Sequence, residues 1–221
     1  MGCARTVGVG CALAVAVASM GPSWNQVPVD VEDSTSEPDV RDAQTNERSA
    51  IEAILAEKSN LPAASRARVA RAIVEESAEA KLDPVFVLAV MGVESELNGQ
   101  AVSRRGARGL MQLRNATTLY LGEKEQLGLG PETTDDPALN VRVGIRYLHR
   151  LNKAFNDLSV ALIAYNAGPH RISGYLKTGR IPDRFLEYPR RVKGHYRRLL
   201  GQLADGSLRI DKPLHIRVAA R

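Results

Sequence analysis

A glutamate at the end of an uncharged helix is the feature of this sequence best suited to acid–base chemistry. The segment from Pro84 to about Glu96 carries no charge between Asp83 and Glu94, which predicts a helix buried on every side. Glu94 falls on its apolar stripe, where lost hydration raises the pKa of a carboxyl group and keeps a proton available near neutral pH. A second interpretation of the local sequence is that Glu94, in the last helical turn, emerges into water. Glu96 is expected to be solvated.

Two later segments carry groups that could bind a sugar. In residues 103–113, Gly109 would let the backbone approach a ligand closely, and the amide of Gln112 can both donate and accept hydrogen bonds. Further along, Tyr165 and Asn166 place an aromatic face beside an amide at a predicted helix end. Such pairs suit the apolar faces and the hydroxyls of sugars. Each segment is also compatible with a plain structural role, the first as a turn into a helix and the second as a helix stop.

Metal and nucleophile chemistry find little support in the sequence. The four histidines are widely separated and form no H-E-x-x-H motif, and both cysteines lie in the first dozen residues. There is no phosphate-binding glycine loop and no nucleophile-elbow serine. The sequence therefore predicts no metal site and no cofactor. The residues concerned are His149, His170, His195, His215, Cys3 and Cys11.

The elements that must position these residues are predicted to be helices. Asp83-Pro84 and Asp136-Pro137 each combine an N-cap residue with proline in the first helical position. No strand alternation and no internal repeat is evident. The sequence predicts a mainly α domain over residues 51–203, followed by a basic tail, 204–221. Helical patterns are expected near 51–55, 69–74, 84–96, 139–151, 158–165, 172–177 and 191–203.

The first 48 residues have the composition of an export signal and a tether. Arg5 precedes an apolar run ending in Ala16-Val17-Ala18, which is typical of a secretory signal over residues 1–18. The run is too short to cross a bilayer, although an uncleaved N-terminal anchor is the alternative. Residues 19–48 are rich in Pro, Ser, Asp and Glu and are predicted to be a disordered acidic linker. We therefore expect an exported protein, located in the periplasm or cell envelope.

Charge is distributed unevenly along the chain. Residues 1–50 hold three Arg against seven Asp and Glu, whereas the remainder holds 27 basic against 18 acidic side chains. A basic body suits nucleic acid, a membrane surface or a cell-wall polymer. A nucleic-acid-binding helical module draws support from one basic cluster, but predicted export argues against this partner. The cluster consists of Arg190, Arg191, Lys193, Arg197 and Arg198.

Several of these pieces, taken together and in order, resemble the SLT family of lytic transglycosylases, which are goose-type-lysozyme-like enzymes. The resemblance covers about residues 80–200. Asn115, Arg184 and Pro189 depart from the family pattern. The matching motifs are Glu94-Ser95, then Gly109-Leu110-Met111-Gln112-Leu113, then residues 140–148, then Ala164-Tyr165-Asn166-Ala167-Gly168, and finally Tyr188 with Val192.

The resemblance implies a lysozyme-like helical fold with a substrate groove, and an activity on peptidoglycan glycan strands. Glu94 would protonate the β-1,4 bond between N-acetylmuramic acid and N-acetylglucosamine, then take a proton from the C6 hydroxyl that attacks C1, leaving a 1,6-anhydro end. Ser95 and Tyr188 would orient Glu94 and the acetamido group. No cofactor is implied, and we expect a monomer. The groove would be lined by Met111, Gln112, Tyr165 and Asn166.

Two alternatives share this scaffold. A lysozyme-type hydrolase would use a nearby acid, such as Glu96 or Asp135, to activate water. An inactive wall-binding or secretion-associated component would keep the fold without turnover. The presence of Glu94 argues against the inactive component.

Overall fold

Helices make up nearly all the regular structure in the part of the chain that the computed structural model describes, residues 40–125 and 135–208. The predicted mainly α class is confirmed. Within these ranges, β-type backbone pairing is limited to two isolated bridges, Val102–Arg108 and Arg108–Leu113. The helices are α1 (Val40–Lys58), α2 (Ala63–Ala80), α3 (Pro84–Ser95), α4 (Asn115–Glu125), α5 (Pro137–Phe155), α6 (Leu158–Ala167), α7 (Pro169–Lys177) and α8 (Glu187–Ala204), with a 3₁₀ turn at Asp183–Phe185.

The predicted signal, most of the predicted linker and the tail beyond Leu208 lie outside the described residues. In the described ranges, no helix combines the length and the apolar character needed to span a membrane.

Aspartate caps begin the helices that matter most for the site. The Asp83 carboxylate accepts hydrogen bonds from two backbone N–H groups of the first turn of α3, and Asp136 does the same for α5. Each aspartate is followed by proline, whose fixed φ suits the first helical position. Both predicted starts are confirmed. Asp157, which was not predicted as a cap, begins α6 in the same way through the N–H of Val160.

Helix α3 runs through the centre of the fold. Every residue from Pro84 to Ser95 is buried except Glu94, which is partly buried. The helix packs mainly against α8, while α5 packs against α2 and α6. The interior position explains why its sequence carries no charge before Glu94, because an unpaired charge there would cost several kcal/mol. The prediction of a buried helix is confirmed.

A buried ion-pair cluster fixes α5 against α2. The Glu76 carboxylate, 2% exposed, accepts hydrogen bonds from Arg142 at 2.9 Å and from Arg146 at 2.7 Å. Glu75 pairs with Arg142 at 2.6 Å. Helix α5 also holds the loop at residues 108–113. The ion-pair cluster therefore helps to position that loop relative to the core.

The predicted boundary between linker and domain is wrong by several residues. Helix α1 begins at Val40, whereas residues up to 48 were expected to be disordered. Its later turns bury Ile51, Ile54 and Leu55 completely. Once those turns are fixed by packing, each added residue gains a backbone hydrogen bond at little further cost, so the helix extends backwards into polar sequence.

Candidate active site

Glu94 occupies the last turn of α3, with its carboxyl group held by a tyrosine from α8. The Tyr188 hydroxyl donates a hydrogen bond of 2.5 Å to Glu94 Oε1. Burial raises the pKa of Glu94 to about 7, while the Tyr188 hydrogen bond and the positive charge of Arg191 act in the opposite direction. A carboxyl group with this pKa is protonated in a large fraction of molecules at neutral pH, which is what a general acid requires.

Helix α8 lies antiparallel to α3 and is attached to it at both ends. Tyr188, near the start of α8, hydrogen-bonds to Glu94 at the C-terminal end of α3. Tyr196, further along α8, donates a hydrogen bond of 2.6 Å to Oδ2 of Asp83 at the N-terminal end of α3. Burial and the Glu94 charge raise the pKa of Tyr188 well above its usual value, so the phenol remains a hydrogen-bond donor. The two tyrosines therefore set the position of α8 beside the candidate acid.

Ser95 fastens the glycine-containing loop to the end of α3. Its hydroxyl, in a residue that is 8% exposed, lies 2.9 Å from the carbonyl oxygen of Leu110 and 3.1 Å from that of Met91. The hydroxyl is thus directed at protein backbone. This geometry suits a residue that positions the loop beside Glu94.

The loop at residues 108–113 is tightly folded around its own backbone. Gly109 and Gln112 both have left-handed φ angles, 74° and 46°. The Gln112 amide nitrogen donates to the carbonyl of Gly109 at 3.0 Å and to that of Ala101 at 3.1 Å. Gln112 is only partly buried, so its amide lies at the surface of this turn while bracing it.

Met111 points into the protein core. Its side chain is completely buried, and a methyl group added at Gly144 of α5 would lie 2.6 Å from Met111 Cβ. The groove-lining role predicted for Met111 therefore has no exposed side chain to perform it. What Met111 offers the site is its carbonyl oxygen, which accepts a hydrogen bond from the Tyr165 hydroxyl at 2.7 Å.

Tyr165 joins the loop to the surroundings of Glu94. Its ring packs on that of Tyr147, with centroids 5.4 Å apart, and its pKa is raised by burial and then by the nearby charge of Glu94. The exposed Asn166 follows at the end of α6, where Gly168 takes a positive φ of 93°. Hydrogen bonds or electrostatic proximity thus link five of the seven predicted site residues, namely Glu94, Ser95, Met111, Tyr165 and Tyr188. The other two, Gln112 and Asn166, are their neighbours in sequence.

Asn140 is a supporting residue to which the sequence analysis assigned no role. It is completely buried on α5, where its Oδ1 accepts from the N–H of Met111 at 2.8 Å and its Nδ2 donates to the carbonyl of Arg108 at 3.0 Å. The available signal was a polar residue four positions before Gly144, on the buried face of α5. A buried amide needs partners, and the loop backbone supplies them.

Among the described residues, Tyr188 is the side chain that hydrogen-bonds to Glu94, and no carboxylate does so. The only charged side chain that shifts its pKa is Arg191. Asp135 is exposed and pairs with Arg108 at 2.7 Å, and Glu96 is exposed at the left-handed C-cap of α3. Nor do the described histidines and carboxylates form a group of three that could hold a metal ion.

Two cavities, with volumes of about 180 and 310 Å³, lie between α1 and α2. They are lined by residues such as Arg48 and Arg71 and contain none of the predicted site residues. We place the candidate site at Glu94 because its hydrogen bond to Tyr188 and its raised pKa suit acid–base catalysis. The cavities contain no group with these properties.

Comparison with known proteins gives a consistent result. The family model for the transglycosylase SLT domain matches residues 71–184. A transglycosylase of Enterobacteria phage PRD1 is 32% identical over 111 residues, which cover 50% of this chain and 39% of the phage protein. A putative soluble lytic murein transglycosylase of Haemophilus influenzae is 34% identical over 97 residues, covering 43% of this chain and 16% of that protein. The chain thus spans well under half the length of these relatives.

Solved structures show the same fold. The lytic transglycosylase Slt of Pseudomonas aeruginosa, in an inactive mutant form, aligns with a TM-score of 0.53 at 26% identity, covering 65% of this chain and 25% of that protein. The soluble lytic transglycosylase of Escherichia coli aligns with a TM-score of 0.53 at 22% identity, covering 73% of this chain and 30% of that protein. The arrangement of helices described above is therefore one already seen in soluble lytic transglycosylases.

Proposed function

This chain belongs to the transglycosylase SLT domain family, and from that premise we propose that it is a lytic transglycosylase of peptidoglycan in which Glu94 is the acid and then the base. The substrate is the β-1,4 bond between N-acetylmuramic acid and N-acetylglucosamine. The observation that carries the proposal is a single partly buried carboxyl group with a pKa of about 7, held by Tyr188.

In the first step, protonated Glu94 gives its proton to the glycosidic oxygen as the leaving sugar departs. The hydrogen bond from Tyr188 to Oε1 fixes the carboxyl group, so the acidic proton resides on the other oxygen and points away from that tyrosine. Arg191 provides positive charge that favours the carboxylate formed once the proton has left. The substrate's acetamido group stabilises the cation that develops at C1.

In the second step, the C6 hydroxyl of the same sugar attacks C1, and the Glu94 carboxylate accepts its proton. One C–O bond has broken, one has formed, and the enzyme has regained its starting protonation state. An intramolecular nucleophile has a high effective concentration, so no residue is needed to activate water. This route differs from the hydrolysis carried out by most glycosidases, in which a second carboxylate acts as the nucleophile or activates water.

The remaining site residues hold the groove. Gln112 and Asn166 are the candidates for direct contact with the saccharide, since both are accessible. Ser95 acts mainly by holding the loop backbone beside Glu94 through the carbonyl of Leu110. The hydrogen bond between the Tyr165 hydroxyl and the Met111 carbonyl holds that tyrosine against the loop. The proposal includes export to the periplasm or cell envelope, because the substrate lies outside the cytoplasmic membrane. It also includes a monomeric state.

The proposal is tested with purified sacculi and a matched pair of variants. Glu94→Gln keeps the shape of the side chain and can still accept a hydrogen bond from Tyr188, but it cannot donate a carboxylic proton. We expect it to release soluble glycan fragments at least about a thousandfold more slowly than the wild type while still co-sedimenting with sacculi. Glu96→Gln, two residues away on an exposed side chain, should retain activity. Substantial turnover by Glu94→Gln would remove Glu94 from the mechanism, and loss of activity in Glu96→Gln would favour the hydrolase.

A further inference from the structure

The outward face of α8 carries an ordered set of arginines, of which the proposed chemistry uses only Arg191. Its inward face buries Tyr188, Val192 and Leu199 against the core. The outward face exposes four arginines, two glycines and, in its first turn, Glu187. No described residue lies close enough to Gly194 or Gly201 to contact a side chain added there. The exposed set on this face is Glu187, Arg190, Arg191, Gly194, Arg197, Arg198 and Gly201.

Helical spacing arranges these residues in two rows with a trough between them. At 100° per residue, Arg190 and Arg197 fall on one edge of the exposed face, and Arg191 and Arg198 fall on the other. Gly194 and Gly201 lie between the rows, and the exposed Glu187 stands at the start of this trough, in the first turn of the helix. Within each row the arginines are seven residues apart, which is about 10.5 Å along the helix axis. This length is comparable to one β-1,4-linked disaccharide.

Three of these arginines form no ion pair within the described residues. In the ranges 40–125 and 135–208, no carboxylate forms an ion pair with Arg190, Arg197 or Arg198. Arg191 donates to the carbonyl of Val93, the residue before Glu94, at 3.4 Å. Three guanidinium groups of the face thus form no ion pair with a described residue, and its first turn adjoins the candidate active site through Arg191.

We propose that this arginine face of α8 binds the free carboxylates of the peptide stems on the glycan strand being cut. The inference rests on the proposed function, which supplies the strand that passes Glu94. Guanidinium groups bind carboxylates through paired hydrogen bonds, and beyond Glu187 the two glycines leave room for a peptide backbone between the rows. A stem borne on every disaccharide would present carboxylates at an interval similar to the spacing within a row.

The face suits this partner better than duplex DNA or a lipid surface. Stem carboxylates lie on the same polymer as the bond to be cleaved, so each contact on α8 also holds that polymer near Glu94. Only the first turn of the face reaches the site, through Arg191. A strand bound along α8 would therefore extend away from the cleavage point in one direction only.

Co-sedimentation with insoluble sacculi tests the proposal using three proteins. The first is the full chain, the second is the variant Arg190→Gln/Arg197→Gln/Arg198→Gln, and the third is a charge-matched control, Arg71→Gln/Lys153→Gln/Lys177→Gln. The control changes three exposed cations elsewhere in the structure. Arg191 is left intact because it acts on Glu94. Each protein is titrated with native sacculi and with sacculi whose carboxylates have been amidated by a carbodiimide and ammonia.

We expect amidation to weaken binding of the full chain and of the control by about tenfold, the effect of a few exposed ion pairs. The α8 variant should bind native sacculi about tenfold more weakly than the full chain and should be insensitive to amidation. Equal sensitivity of all three proteins would overturn the proposal. The proposal would also be overturned if the full chain bound phosphatidylglycerol vesicles or duplex DNA more tightly than sacculi and the α8 variant lost that binding. Failure of the proposed function is seen separately, as no release of soluble fragments by the full chain.

Discussion

The protonation of Glu94 is a balance between burial and two neighbours. Burial disfavours the carboxylate, whereas the Tyr188 hydroxyl and the Arg191 charge favour it. The resulting pKa of about 7 lets the same group donate a proton and then accept one near neutral pH. Because the acid form is needed for the first step, kcat/KM should fall as the pH rises through about 7.

Replacing Tyr188 with phenylalanine should shift this pH dependence in a defined direction. The variant loses a hydrogen bond that favours the carboxylate, so the pKa of Glu94 should rise and the alkaline limb of the kcat/KM profile should move to higher pH. The rate at the optimum should fall, because the carboxyl group is held less firmly. Tyr175→Phe, which removes a hydroxyl that accepts a hydrogen bond from Arg184, serves as the control and should leave the limb in place. A limb that moves to lower pH would contradict the role given to Tyr188.

The raised pKa of Glu94 also has a cost in folding stability. The pKa is about 7 in the folded chain and 4.5 in the reference state, so ionisation destabilises the folded state progressively as the pH rises from 4.5 to 7. Glu94→Gln should therefore increase the free energy of unfolding at pH 8 by on the order of 3 kcal/mol, with little gain at pH 4. Urea unfolding at both pH values measures this difference. The absence of such a difference in Glu94→Gln would contradict the assigned pKa.

At the level of elements, the loop at residues 108–113 depends on α5 for its shape. Asn140 binds its backbone at two points, and Gly144 leaves the space that Met111 fills. The loop in turn offers one carbonyl to Ser95 and another to Tyr165. Helix α5 thus influences the surroundings of Glu94 through this loop.

Replacing Gly144 with alanine should destabilise the protein and reduce its activity. The added methyl group would lie 2.6 Å from Met111 Cβ, so the loop or α5 must move, at a cost of about 1–3 kcal/mol. The matched control is Gly174→Ala in α7, where the methyl group would meet nothing within 4 Å. The control should be neutral or stabilising by about 0.5–1 kcal/mol, because alanine has the higher helix propensity. Thermal unfolding and sacculus digestion of both variants check this, and equal effects at the two positions would contradict the packing described.

Local sequence signals predicted the elements better than the contacts between them. The Asp-Pro starts of α3 and α5 and the uncharged run of α3 follow from capping and burial, which act within a few residues. The inward direction of Met111 and the bonds of Asn140 depend on how α5 meets the loop, which no local pattern reveals. The early start of α1 was missed for a related reason, since packing of its later turns extends a helix whose first turns are polar.

At the level of the whole molecule, the fold places one acid–base group beside a basic helix face. Family membership and the helical arrangement support a transglycosylase, and the geometry around Glu94 supports a mechanism that needs one carboxyl group. The proposed function and the α8 inference are separable, because the first concerns bond cleavage and the second concerns where the strand is held.

The chemical nature of the newly formed glycan ends tests the central claim most directly. Sacculi are digested with the purified chain, and the released muropeptides are analysed by mass spectrometry before and after borohydride treatment. If Glu94 returns the proton of an internal C6 hydroxyl, the new muramic ends will be 1,6-anhydro sugars that borohydride leaves unchanged. New ends that borohydride reduces would show that water is the acceptor, and would contradict the account.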